Sequence, residues 1–123
     1  MSDPEKYLPL TPAVFQILMA LSDGEKHGYA IMRIVKEATG NRMVLGPGTL
    51  YGAIKRLQRD DLIIESDCRP DPVIDDARRR YFELTDLGRQ VLVAESKRLV
   101  ELVAYARRKK LLGAEGVQLP GDA

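Results

Sequence analysis

The 123-residue sequence has one cysteine, one histidine and no tryptophan. The lone Cys68 excludes an internal disulfide, and with His27 as the single imidazole no cysteine- or histidine-based metal site closes within one chain. No nucleophile–base pair, metal cluster or phosphate-binding loop is visible, so neither an enzyme nor a cofactor is expected. The apolar runs last only a few residues, short of the roughly 20 that a membrane-spanning helix needs. The start, Met1-Ser2-Asp3-Pro4-Glu5-Lys6, lacks the basic and apolar stretches of a signal peptide. A cytoplasmic protein without a membrane partner is expected.

Excess charge is also missing, since the formal net charge is +1. Its distribution carries more than its sum. Residues 41–60 hold Arg42, Lys55, Arg56 and Arg59 against Asp60 alone, and residues 85–112 hold seven cations against three acids. A 45% hydrophobic and 30% charged composition is ordinary for one globular domain with a modest core.

The stretch from Gly46 to Ile64 organises the rest. Pro47 suits a first helical position, and the glycines around it let the chain turn sharply into the helix. At roughly 100° per residue, Leu50, Ile54 and Leu57 share one side and should face a core. Thr49, Gly52, Lys55, Arg56 and Arg59 share the other, with Tyr51 on the flank. That layout suits a helix in a DNA major groove, where Arg and Lys meet guanine edges or phosphates. An amphipathic helix with a solvated basic face is the plainer reading of the same residues.

The neighbouring segments favour DNA. Residues 1–10 read as a short arm. Thr11 and Pro12 start a helix through Leu21 that is apolar on nearly every side, and Ser22-Asp23-Gly24 ends it. A second helix follows His27-Gly28 to about Thr39, with Ile31, Met32, Ile34, Val35 and Ala38 inward. After the third helix, Leu62 to Glu65 read as a short strand, and residues 78–84 as a returning one with Phe82 and Leu84 inward. Between them, residues 66–77 carry two prolines and four aspartates and read as a mobile loop. Three helices and a β-hairpin make a winged helix-turn-helix over residues 1–84, mainly α with a small β-wing.

Thr85-Asp86 then caps a helix to about Leu112, roughly 40 Å long at about 1.5 Å per residue. Leu92, Leu99, Leu102, Val103 and Ala106 form its main stripe, while Val93 and Val100 occupy another side. Apolar residues on two sides suggest two neighbours, the second being another subunit, so residues 85–112 are read as a dimerisation helix. Antiparallel packing onto the first helix alone is the alternative. Residues 113–123 are expected to be a disordered tail.

Five short strings lie in order from Leu10 to Gly88: Leu10-Thr11-Pro12 with Ile17-Leu18, His27-Gly28-Tyr29-Ala30-Ile31, Gly48-Thr49-Leu50-Tyr51, Lys55-Arg56-Leu57 with Leu62-Ile63, and Arg79-Arg80-Tyr81 with Leu84-Thr85 and Gly88. Together they resemble the PadR family of bacterial transcriptional regulators, in its shorter branch with a single C-terminal helix. The resemblance implies a homodimeric repressor on a palindromic operator in double-stranded DNA, with recognition helices in successive major grooves and wings on the flanking backbone. It also implies release by a small-molecule effector. The family's best-known drug binders stack ligands between tryptophans, and this chain has none. Phe15, Tyr7 and Tyr105 offer an apolar gap or plain core, so no particular ligand is expected.

One departure concerns the wing. Asp67, Asp71, Asp75 and Asp76 would repel phosphate, so DNA contact is placed at the stem arginines Arg78, Arg79 and Arg80, with the acidic tip turned away. Tyr51 either touches DNA or seals the core edge. Tyr81, expected on an edge strand, either donates to a phosphate or packs. His27 reads as a local hydrogen-bonding or capping residue before a sensor, Gly28 as a turn residue, and Cys68, beside Arg69, as an inert surface thiol before a redox group. The run Arg107-Arg108-Lys109-Lys110 reads first as solvated charge at a helix C-terminus. A winged-helix protein-interaction module without DNA binding is the competing function, favoured by the acidic wing and opposed by the cationic face.

Overall fold

In a computed structural model, residues 3–67 and 80–113 are described. A single 3-10 turn, Pro4–Tyr7, leads to α1 (Pro12–Ala20), a two-residue strand β1 (Lys26–His27), α2 (Gly28–Ala38) and α3 (Pro47–Arg59). The hairpin strands β2 (Ile63–Ser66) and β3 (Tyr81–Leu84) and the long α4 (Asp86–Arg108) follow. The fold is α+β, with four α-helices and a small antiparallel sheet among the described residues.

The helix starts follow local chemistry. The Thr11 hydroxyl accepts the Val14 N–H at 3.2 Å, with Pro12 in the first turn. His27 Nδ1 accepts the Ala30 N–H at 3.1 Å, so His27 does cap α2. Thr85 accepts the Gly88 N–H at 2.9 Å and donates to the Asp61 carbonyl, tying α4 to the end of α3. The ends share one device: Gly40, Asp61 and Lys110 have left-handed φ, and the next N–H reaches back five residues, as Leu62 does to the Leu57 carbonyl at 2.9 Å. This closure stops α4 at Arg108, four residues before the expected Leu112.

The sheet has the order β1-β3-β2, with His27 opposite Tyr81 and Ser66 opposite Tyr81 on the other side. β3 is therefore the central strand, not the expected edge. β1 decides this, and two residues are too few to show any alternation in sequence. The core joins Ile17 and Leu18 of α1, Ile31 and Val35 of α2, Leu50 and Ile54 of α3, Phe82 of β3 and Val91 of α4. Ala30 takes the buried place expected for Ala38, which is exposed. α1 is less enclosed than expected, since Met19 is exposed.

α4 packs against α1, β3 and the N-terminal turn. It approaches the link between α3 and β2 closely at Gly88, where an added Cβ would meet the Leu62 carbonyl oxygen at 1.9 Å. Its stripe then divides. Leu92 is 5% exposed within the chain's own core, which corrects its expected place in an interface between subunits. Beyond it Leu99 and Ala106 are half-buried, and Leu102 and Val103 stand 50% and 40% exposed. α1 thus covers only the first part of α4, and the same apolar face runs on past the domain.

Candidate nucleic-acid interface

α3 presents two faces. Leu50, Ala53, Ile54 and Leu57 are buried, whereas Thr49, Lys55, Arg56 and Arg59 are exposed. Gly52 is half-buried and leaves the helix surface low, with the Arg56 guanidinium near the position its Cβ would take, at 3.7 Å. The helix begins at Gly46, which makes no side-chain cap, and residues 46–49 are all exposed. Free N–H groups, a hydroxyl and three long cations therefore share one solvent-facing surface, the arrangement a phosphate backbone and base edges require.

The wing stem contributes differently. Arg80 pairs across the hairpin with Glu65, Nε to Oε1 at 3.0 Å and the second guanidinium nitrogen to Oε2 at 3.2 Å, and its guanidinium lies over the Phe82 ring. The hydrogen bond and the charge of Glu65 raise the Arg80 pKa, holding it cationic while cancelling its charge locally. Arg78, Arg79, Cys68 and the loop aspartates Asp71, Asp75 and Asp76 lie outside the described residues; Asp67 is exposed.

Tyr81 is 5% exposed, with its ring edge-to-face against His27 at 5.3 Å. Its place is in the packed sheet rather than on the phosphate-facing surface expected of an edge strand, because β1 covers it. Tyr51 is 42% exposed, and its hydroxyl lies over Gly28. Gly28 is helical, so close approach, not the expected turn, is what calls for glycine there. No sequence periodicity links residues 28 and 51; only the pairing of strings Gly28-Tyr29 and Leu50-Tyr51 hinted that both matter.

The three aromatic residues considered for an effector are dispersed. Tyr7 borders a recess of about 210 Å³ shared with Leu10, Val14, Leu57 and Arg59. Phe15 packs on the core, and Tyr105 stands exposed with Arg108 and Lys109 against its ring. Among the described residues no group of three or more metal-ligating side chains occurs, and no helix is long and apolar enough to cross a membrane.

The relatives agree with this architecture. Over 86 residues, 70% of the chain, it is 40% identical to a 37.1 kDa protein of a Streptomyces fradiae transposon, of which it spans 22%. It is 31% identical over 86 residues to a transcriptional regulator of Mycobacterium tuberculosis, covering 70% of this chain and 74% of that one. The crystal structure of a PadR-like transcription factor from Bacteroides fragilis superposes with a TM-score of 0.63 at 25% identity, covering 77% of this chain and 86% of that one. The transcriptional regulator PadR-like family matches residues 17–94, from the core of α1 into the first half of α4, and the chain belongs to that family of transcriptional regulators.

Proposed function

We propose that the protein is a sequence-specific DNA-binding repressor that acts as a homodimer and is released by a small molecule. The observation that carries the DNA reading is the division of α3, whose Leu50, Ile54 and Leu57 anchor it while Thr49, Gly52, Lys55, Arg56 and Arg59 face outward. Lys55 and Arg59 suit phosphates, and Arg56, beside the low surface at Gly52, suits a base edge. Arg78 and Arg79 are proposed as the wing's phosphate contacts, since Arg80 is engaged by Glu65.

The homodimer reading rests on the uncovered stretch of α4, where Leu99, Leu102, Val103 and Ala106 continue the core-facing stripe beyond the domain. Two copies would place two α3 helices for successive grooves of a palindromic operator, about 34 Å apart.

Selection of duplexes from a random pool, followed by binding at several salt concentrations, tests the reading. One recurring palindrome is expected, with affinity falling steeply as salt rises. Arg56→Ala should relax selectivity at one position and cost about 1–3 kcal/mol. The neutralised Arg80–Glu65 pair favours the second reading, a protein-interaction module. Absence of any salt-dependent duplex binding by the wild-type protein would overturn the first reading.

A further inference from the structure

Tyr51 stands at the junction of three elements. It leaves α3 in the second turn, and its phenol rests on Gly28, the first residue of α2. A Cβ added at Gly28 would lie 2.2 Å from the Tyr51 hydroxyl oxygen and 2.7 Å from the ring carbon that bears it. The preceding residue, His27, caps α2 through Nδ1 and faces the Tyr81 ring at an interplanar angle of 87°. His27 also pairs with Tyr81 across β1 and β3. The start of α2 therefore carries the Tyr51 phenol of α3 on Gly28 and the central strand of the wing on the adjacent His27. Arg80 of the wing lies close enough that an ionised phenolate at residue 51 would favour its cationic form, after the larger effects of Glu65.

We propose that Tyr51 is a positioning residue: its ring, seated on Gly28, sets the angle at which α3 leaves α2 and the wing. A DNA contact through the hydroxyl is the reading it replaces. Arg59 lies eight residues further along α3, about 12 Å away, so a tilt of about 5° at Tyr51 displaces it by about 1 Å. Hydrogen bonds to base edges lose their geometry over such a shift. Attraction between the same cations and the phosphate backbone does not, because charge acts over about 8–10 Å at ordinary salt. The ring thus governs sequence discrimination more than bulk DNA affinity. This consequence rests on the DNA-binding reading; the packing of residue 51 on residue 28 does not.

The full chain tests this in five forms: wild type, Tyr51→Phe, Tyr51→Ala, Gly28→Ala and the double variant Gly28→Ala/Tyr51→Ala. Thermal midpoints are read without DNA, and affinities are read on the selected duplex and on a scrambled one. Tyr51→Phe keeps the ring and should stay within about twofold of wild type on both duplexes. Tyr51→Ala and Gly28→Ala should each lose about tenfold or more on the selected duplex while changing the scrambled one by less than about twofold. Gly28→Ala should lower the thermal midpoint in the wild-type background and cost little more once Tyr51 is alanine, the signature of coupled sites.

Equal losses for Tyr51→Phe and Tyr51→Ala on both duplexes, with unmoved thermal midpoints, would assign the hydroxyl to DNA and overturn the proposal. So would a Gly28→Ala penalty of the same size in both backgrounds. If Gly28→Ala does not fold, the contrast between Tyr51→Phe and Tyr51→Ala decides alone. If wild type binds no duplex, the DNA reading fails, and the thermal coupling of residues 28 and 51 still decides whether the ring positions α3.

Discussion

Glu95 is buried to 1% exposure on α4, the single charged side chain so enclosed among the described residues. Its carboxylate accepts the Leu10 N–H at 2.8 Å and is held in a two-point pair by Arg98. It thereby fixes the chain just before α1 onto α4. The Arg98 hydrogen bond, helped by the Leu10 N–H and opposed by burial, holds the Glu95 pKa below the ordinary carboxylate range. A carboxyl depressed in the folded state stabilises it above the unfolded pKa, and that stability disappears as pH falls through the folded value. Thermal stability should therefore decline below about pH 4.3, and Glu95→Gln should flatten that decline. At neutral pH the same substitution should cost about 1–3 kcal/mol, read from urea unfolding. Gly88→Ala should cost a comparable or larger amount, about 1–3 kcal/mol at least, because its methyl would have to displace the Leu62 backbone rather than a flexible side chain.

At the scale of elements, α4 is the unfinished part of the fold. About 35 Å long for its 23 residues, it packs its first half on α1, β3 and the N-terminal turn. The second half leaves Leu102 and Val103 substantially exposed on the same face. In the proposed homodimer a second copy covers them. Leu102→Asp or Val103→Asp should give a folded monomer by light scattering, because these side chains contribute little to the single chain's own core, while wild type runs as a dimer. A wild-type protein that stays monomeric and folded at micromolar concentration would leave α4 without that partner. Leu92→Asp, by contrast, should unfold the chain itself, since that side chain is 5% exposed.

For the whole molecule, the proposed homodimer couples its two DNA-reading helices through α4. A change in the angle of α4 against α1 and the N-terminal turn alters the distance between the two copies of Arg59. A ligand shifts that population only by binding one spacing better than the other. A coupling of about 1–3 kcal/mol corresponds to release over about a 5- to 150-fold range of affinity. An inducing compound should therefore change the distance between spin labels at the two copies of residue 59 and leave the dimer intact. Release with that distance unchanged, or through monomers, would set the spacing mechanism aside.

Local chemistry alone determined where the helices start and which side of α3 is greasy. Thr11 and Thr85 cap through their own hydroxyls, and Leu50, Ile54 and Leu57 follow the helical period, so neighbours in sequence contain the whole cause. The ordered strings from Leu10 to Gly88 likewise carried the family, because spacing along the chain is what a family preserves. Tertiary structure decided the rest. β1 exists only through its pairing with β3, a partner more than fifty residues away, and that pairing moved Tyr81 from an expected edge into the packed sheet. Leu92 and Leu102 look alike in the periodic pattern of α4; where the domain ends in space, not the pattern, buries one and leaves the other exposed. Gly28 and Tyr51 belong to different helices, and their close fit arises only when α2 and α3 cross. Periodicity records which face of a helix is apolar; how far a neighbour extends along that face is set by packing between distant segments.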